Sequence, residues 1–245
     1  MSRELERVKT IVELLQFKKN PKIFNYIDIG GGDGSIAYEI SVSLGIKNTI
    51  VADILPPPEQ EYKNLTYIQI SEEKNELPIT GTVDMITMFV SFHHFKEPDK
   101  VIKEIMRISR PGTLLIIREH DASQEIQPYL DFVHLIETIK DYGKNSLKFL
   151  YTYQAGYFSR IGLKSSFENI GWKYLGSVDY PENISNPQKL YSSIFEFKGD
   201  GNSWLTPTVI KTKYALEDGT LLNILDIEDN ENYLKLLKKN NISAK

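Results

Sequence analysis

Tyr26-Ile27-Asp28-Ile29-Gly30-Gly31-Gly32-Asp33-Gly34 reads as a short apolar strand running into a glycine-rich turn. A helix is predicted to follow, from Ser35 to about Leu44. Gly30, Gly32 and Gly34 stand at alternate positions, where glycine admits positive φ and lets backbone pass close to a ligand. The helix behind the turn begins with N–H groups that have no partner within the helix. A nucleotide-like cofactor fits such a turn. The dinucleotide fingerprint requires G-x-G-x-x-G, and the spacing here is G-x-G-x-G, so an NAD-dependent oxidoreductase fits poorly.

Outward from that turn, residues 23–29 form the first predicted strand and Thr49 to Asp53 the second. Asp53 closes strand two about ten residues after the helix, in the βα order of a doubly wound sheet. Strand three is expected over Leu65 to Ile70, strand four over Val83 to Val90 and strand five over Thr113 to Arg118. Before the first strand, residues 3–17 carry Leu5, Val8, Ile11, Val12 and Leu15 at helical spacing, and Asn20-Pro21 ends that helix. Lys18, Lys19 and Lys22 follow it, either as a solvated helix end or as a phosphate-facing cluster.

The acidic residue within strand one, the alternating glycines and the acid at the end of strand two resemble motif I of the class I S-adenosylmethionine (AdoMet) methyltransferases. The run from Asp84 through Ser91-Phe92-His93-His94-Phe95 to Arg110-Pro111-Gly112 is similar to the ubiquinone/menaquinone-biosynthesis branch of that family. The resemblance covers about residues 24–120. It implies an α/β fold, Rossmann-like and doubly wound, with a mostly parallel sheet and an antiparallel final strand. It also implies AdoMet as cofactor. Asp28 would meet the turn or the methionine ammonium, Gly30, Gly32 and Gly34 would pass under the amino-acid part, and Asp53 would take the ribose hydroxyls. Ser91 joins the cofactor set. The family's adenine-contacting acid is not clearly matched; Glu72, Glu73 or a backbone carbonyl takes that place. The stretches Ile116-Ile117-Arg118-Glu119-His120-Asp121 and Tyr157 to Leu175 also look like methyltransferases of large DNA viruses.

In parallel α/β sheets, ligands sit beyond the carboxyl ends of the strands. Two polar clusters are expected there: His93-His94 after strand four, and Arg118-Glu119-His120-Asp121 after strand five. Histidine is the side chain best suited to take a proton near neutral pH, and a carboxylate beside it sets its tautomer. His120, Glu119 and His94 are the candidate catalytic residues, although a loop histidine also serves as a cap or packing group. Asp121, His134 and Tyr153 are candidates for the acceptor pocket. His134 lies on a helix expected over 124–142, beside Asp131 at i, i+3 spacing, with Tyr129, Phe132 and Tyr142. Residues 143–157 are rich in lysine and tyrosine and suit either packing or a lid that stacks on a ring. Glu119, His120 and Asp121 are adjacent, and adjacent side chains seldom all face one ion, so no metal site is expected.

A helix from Ser159 to Ile170 and a strand pair, Trp172 to Tyr180 and Leu190 to Phe197, would complete the methyltransferase domain over 1–198. Residues 199–245 form a C-terminal extension outside the resemblance, in which short strands and a helix over Asn232 to Lys239 are readable. A dimer arm, a partner-protein contact and a disordered tail are all open to it.

Composition bounds the function. The chain has 245 residues, enough for one α/β domain with an appendage. It has no cysteine, which removes disulfides, thiolate metal sites and the thiol nucleophile of C5-pyrimidine methylation. Net charge of −4 argues against a surface that coats nucleic acid, though not against a local basic patch. With neither a membrane-length apolar run nor a signal peptide, a cytoplasmic protein is expected, in the host cytoplasm if viral. The acceptor is left between a small molecule, slightly favoured, and RNA. Phe89-Val90-Ser91-Phe92 lacks the Asn/Asp-Pro-Pro-Tyr/Phe signature of amino-group methylation on adenine. The Lys-Asp-Lys-Glu tetrad of ribose methylation finds only Lys18 or Lys19 and Glu196 for its ends, with Arg118 in place of the central lysine. A methyltransferase-fold scaffold without activity is the non-enzymatic alternative.

Overall fold

The structure is a computed structural model. It describes residues 2–59, 62–71, 76–95, 97–123, 125–127, 129–130, 133–134, 156–180, 189–199, 201–202, 204–205 and 207, and the backbone alone at 209–211, 214–215 and 221–222. In chain order the elements are α1 (Arg3–Leu15), β1 (Asn25–Ile29), α2 (Ser35–Leu44), β2 (Asn48–Asp53), β3 (Leu65–Gln69), β4 (Met85–Phe89), a 3-10 turn (Phe92–His94), α3 (Pro98–Arg107), β5 (Leu114–His120), β6 (Gly156–Phe158), α4 (Arg160–Asn169), β7 (Trp172–Asp179) and β8 (Leu190–Phe197). Short strands β9 (Val209–Lys211), β10 (Tyr214–Ala215) and β11 (Leu221–Leu222) follow.

Seven strands make one sheet in the order β3-β2-β1-β4-β5-β8-β7. All of its pairings are parallel except those of β8, which runs against both β5 and β7. The order reverses between β1 and β4, and in open α/β sheets ligands sit at the carboxyl ends of the strands beside such a switch point. Parallel strands need cover on both faces, and side chains alternate to supply it. Ile27, Ile29, Ile86, Met88, Leu115 and Ile117 pack with α3 and α4. Tyr26, Met85, Leu114 and Ile116 pack on the other face with Ile11 and Leu14 of α1 and Ile40 of α2.

Several expected boundaries move for identifiable reasons. Helix α1 stops at Leu15, and Leu5 and Val12, expected on its apolar face, are exposed; Ile11, Leu14 and Leu15 are buried. Strand β4 ends at Phe89 because Val90 turns out of the extended region, at φ +55°. Strand β5 runs on through His120, because β8 keeps pairing with it: Glu119 stands opposite Tyr191 and His120 opposite Leu190. The Glu119-His120 cluster is therefore the rigid end of a strand, not a loop.

At the opposite end, Asp84 locks the starts of the strands together. Its Oδ2 accepts from the N–H groups of Phe24 and Asn25, each at 2.9 Å, and Arg110 Nη2 donates to Oδ1 at 2.5 Å.

Beyond β8 the chain comes back against α4. The Asn202 N–H donates to the Asn169 carbonyl, Ser166 Oγ donates to the Leu205 carbonyl, and the Trp204 ring lies 5.2 Å from that of Phe167. Strand β9 pairs antiparallel with β6. The helix expected at 232–239 lies outside the described residues, as does most of the one expected at 124–142. No described helix is long and apolar enough to cross a membrane.

Candidate functional site

The turn after β1 is held from three sides. The Gly30 N–H donates to the Ala52 carbonyl at 2.7 Å, and the Gly32 N–H donates to Asp53 Oδ2 at 2.8 Å. The other oxygen of Asp53 accepts from the Leu55 N–H at 2.9 Å, so the carboxylate is fixed at the tip of β2. Gly30 has φ +73°, and a Cβ there would stand 2.5 Å from Ser91 Cβ. Ser91, just beyond β4, is thus pressed against the glycine turn, and its Oγ donates to the Ile29 carbonyl. A Cβ at Gly32 would meet nothing within 4 Å. A hollow beside it is lined by Gly32, Asp53, Leu55, Pro56 and Tyr67. Ser35 Oγ, at the start of α2, is buried without a partner among the described residues. This cradle fits AdoMet: open backbone over Gly32, a fixed carboxylate at Asp53 and an orphaned hydroxyl at Ser35.

Asp28 is only 1% exposed and lies beneath the turn, where a Cβ on Gly31 would come within 2.9 Å of its Oδ2. Thr87 Oγ1 donates to its Oδ1 at 2.5 Å, and the Tyr26 hydroxyl lies 2.7 Å from that Oγ1. Burial pushes the Asp28 carboxyl up to about 7, against the Thr87 hydrogen bond and with help from the charge of Asp53.

The second half of the site is a group of imidazoles. Positive φ at Val90 swings the chain so that the 3-10 turn carries Phe92 into the core and His93 and His94 toward the end of β5. Glu119 anchors this turn. Its Oε1 accepts from the Phe92 N–H at 2.9 Å, and its Oε2 is 2.6 Å from His93 Nδ1. Burial raises the Glu119 carboxyl to about 7. Burial, with the neighbouring histidines adding to the effect, holds His93 well below the ordinary histidine value, so it is neutral, whereas His94 beside it is exposed. His93 Nε2 lies 3.1 Å from His134 Nε2. His134 Nδ1 faces the Leu130 carbonyl at 2.7 Å and the Tyr157 hydroxyl at 2.9 Å. The His120 ring centroid is 5.4 Å from that of His93 and 6.0 Å from that of His134.

Of the sequence-predicted residues, Asp28, Gly30, Gly32, Gly34, Asp53 and Ser91 gather around one turn, and His94, Glu119, His120 and His134 around the other centre. Asp121 has one oxygen engaged by the fold, its Oδ1 accepting from the Arg160 N–H at 2.9 Å. Glu72 and Tyr153 lie outside the described residues, as do Asp131 and Tyr142. The tetrad considered for ribose methylation does not assemble. Lys18 Nζ binds Glu196 at 2.8 Å, and Glu196 pairs with Leu114 at the start of β5, the end of the sheet away from the glycine turn. Arg118 points to the α1 face, with its guanidinium 3.7 Å over the Tyr180 ring.

Sequence reasoning places His93 in the cluster with His94 and Tyr157 in the stretch 143–157 but gives neither a catalytic role, and it passes over Thr87 and Tyr191. Tyr191 stands opposite Glu119, and its buried hydroxyl has no partner among the described residues. Burial and the nearby Glu119 and Asp121 hold its phenol in the protonated form. The one signal for Thr87 is its place beside Asp28 on the adjoining parallel strand.

A family model described as a methyltransferase domain matches residues 2–177. No curated protein matches the chain. Among solved structures, similarity extends to a complex between the Haloferax volcanii Trm112 methyltransferase activator and a methyltransferase, at 13% identity and TM-score 0.57, covering 81% of this chain and 92% of that one. An S-adenosylmethionine-dependent methyltransferase from Aquifex aeolicus is 19% identical with TM-score 0.51, covering 80% and 94%. One from Clostridium acetobutylicum is 11% identical with TM-score 0.51, covering 81% and 93%. At these identities the likeness is one of fold. The family match carries further: the chain belongs to the methyltransferase-domain family, with the class I fold and S-adenosylmethionine as its cofactor.

Proposed function

We propose that the protein transfers a methyl group from AdoMet to an oxygen or nitrogen of a small molecule seated over the histidine group. The observation that carries this is the buried wall of His93, His120, His134 and Glu119, which begins two residues along the chain from the Ser91 that abuts Gly30. A wall of buried imidazoles suits a compact acceptor. The resemblance to the quinone-biosynthesis branch supports the same reading. The cluster that would have faced RNA phosphates loses Lys18 to Glu196 at the far end of the sheet.

AdoMet, when bound, supplies an electrophilic methyl group on a sulfonium. What is left to the chain is mainly orientation and exclusion of water. Asp53 holds the ribose, the glycine backbone passes under the amino-acid part, and Asp28 stiffens the turn from below. A hydroxyl acceptor also has to lose a proton. His94 is exposed at the edge of the buried histidine group, where it can take one, and His120 stands at the rigid end of β5.

The test is methyl transfer from radiolabelled AdoMet to a pool of cellular metabolites, beside capped and uncapped short RNAs. Label in the small-molecule fraction is expected. Label on RNA alone overturns the acceptor assignment, and intact AdoMet binding with no label in any fraction supports a scaffold instead.

A further inference from the structure

The histidine group holds more than a general base needs. His93 comes from the turn after β4, His120 from the end of β5, and His134 from the segment after Leu130. Each offers a ring nitrogen, and the three nitrogens lie within 4.8 Å of one another, all on buried residues. The hydrogen bonds around the rings decide where the lone pairs point. The Leu130 carbonyl can only accept, so His134 Nδ1 carries the proton and its Nε2 presents a lone pair. His93 Nδ1 is turned to Glu119 Oε2 at 2.6 Å, which directs its Nε2 the other way. Those two Nε2 atoms are the pair that face each other at 3.1 Å. Two ring nitrogens at that distance share something positive between them, a proton or a metal ion.

The geometry points to a divalent transition-metal site formed by His93, His120 and His134, with zinc the first candidate. Two imidazoles on a tetrahedral zinc stand about 3.3 Å apart, given Zn–N bonds of about 2.0–2.1 Å, close to the 3.1 Å observed. Three protein ligands among the described residues, with a fourth position for another group, is the pattern of catalytic zinc. The outer partners also match. Metal-binding histidines characteristically donate their other nitrogen to a carboxylate or a backbone carbonyl, which are the roles of Glu119 toward His93 and Leu130 toward His134. Imidazole ligands with no thiolate suit zinc, cobalt, nickel or copper rather than magnesium or calcium. Adjacency in sequence argues against an ion at Glu119-His120-Asp121. The fold resolves this by separating the three: His120 joins the ligands, Glu119 supports one of them, and Asp121 turns to Arg160. The fourth position would take an oxygen or nitrogen of the acceptor, and His94 would remain to receive its proton. Ion binding itself does not depend on which acceptor is methylated.

Protein stripped with a chelator and freed of it is titrated with Zn2+ by calorimetry, with elemental analysis of the product, and separately loaded with Co2+ for visible spectroscopy. One ion per chain and the intense d–d bands of tetrahedral Co2+ are expected. His134→Ala and His120→Asn should each weaken Zn2+ binding by at least about 100-fold, and Glu119→Gln by about 10- to 100-fold. Zn2+ should raise the melting temperature of the wild type and lose that effect in the variants. Circular dichroism checks that each variant is folded. If the ligand variants do not fold, the wild-type Co2+ spectrum and stoichiometry decide alone. Less than one ion per chain, or unchanged affinity in a folded His134→Ala, overturns the site. The first result would mean that a shared proton lies between His93 and His134.

Discussion

The two ends of this sheet treat their buried carboxylates differently. Where the strands begin, Asp84 accepts two backbone N–H groups and binds the Arg110 guanidinium. Burial alone would raise its carboxyl, but Arg110 and the two N–H donors outweigh that and hold it below the ordinary aspartate value. Where the strands end, Asp28 and Glu119 are both driven up to about 7 by burial. Among the described residues, no lysine or arginine binds Asp28, Asp53 or Glu119. Arg118, next to Glu119 in sequence, points to the other face and stacks on Tyr180. A carboxylate with its own cation serves the fold. Carboxylates without one gather at the end of the glycine turn and the histidine group, where a cationic sulfonium cofactor and a metal ion are proposed to bind.

Asp28→Asn gives the largest test of that contrast. With its folded pKa raised from 3.8 to about 7, Asp28 contributes stability that is complete below its unfolded pKa. That contribution is lost as pH rises between the two values. Asparagine keeps an acceptor for Thr87 and removes the loss. The variant should exceed the wild type at pH 8 by up to about 4 kcal/mol, with no gain near pH 4, in urea unfolding followed across pH. A variant that is weaker at pH 8 would mean the ionised carboxylate is held by its contacts and would erase the difference between the two ends.

Asp84→Ala should act in the opposite sense. It leaves the Phe24 and Asn25 N–H groups without their acceptor and should cost about 3 kcal/mol at neutral pH. Because the folded pKa of Asp84 is depressed, its stabilisation is present above its ordinary value and lost as pH falls through the folded one. The gap between wild type and variant should therefore narrow below about pH 3. A gap independent of pH would show that charge contributes nothing at this end.

Asp53→Ala follows in size. If this carboxylate holds the ribose hydroxyls, the variant should remain folded while AdoMet affinity falls by about 2 kcal/mol, or roughly 30-fold, by calorimetry. Unchanged affinity would reduce Asp53 to a brace for the Gly32 and Leu55 N–H groups.

What the sequence makes legible divides along the same line. The glycine turn, Asp53 and the parallel strand order depend on local chemistry: glycines in a turn, an acid at a strand end, apolar runs with both faces covered. These leave marks at fixed spacing. The histidine centre depends on three segments that are distant in sequence, and its members show only as scattered single residues. Nothing local says which of the adjacent imidazoles His93 and His94 turns inward, so His94 is chosen as the candidate and His93 is left as its neighbour. That is decided by Glu119, 26 residues away, which anchors the turn. The polar residues Glu119 and His120 suggest that strand five stops at Arg118. Pairing with β8, a contact between remote segments, carries it to His120. Lys18 and Glu196 match a tetrad by residue type, and only the register of β8 shows them at the wrong end.

Backbone strain follows the same division, and it sets the smallest expected effect. At the end where strands begin, the positive-φ residues besides glycine are Asn20 and Asn64, a type that tolerates that region. At the other end they are Val90 and Lys189, at φ +55° and +46°. For a β-branched valine this conformation costs about 1–2 kcal/mol. Glycine would relieve it but has more freedom to lose on folding, about 0.5–1 kcal/mol. Val90→Gly should therefore change stability by about 0–1.5 kcal/mol, in the stabilising direction. If the strain serves to aim the 3-10 turn, methyl transfer should slow in the same variant, and His93 should lose its fixed register against Glu119. A variant more stable and equally active would show that the strain only accompanies the site. One that is both less stable and less active would show that Val90 is held there by its packing.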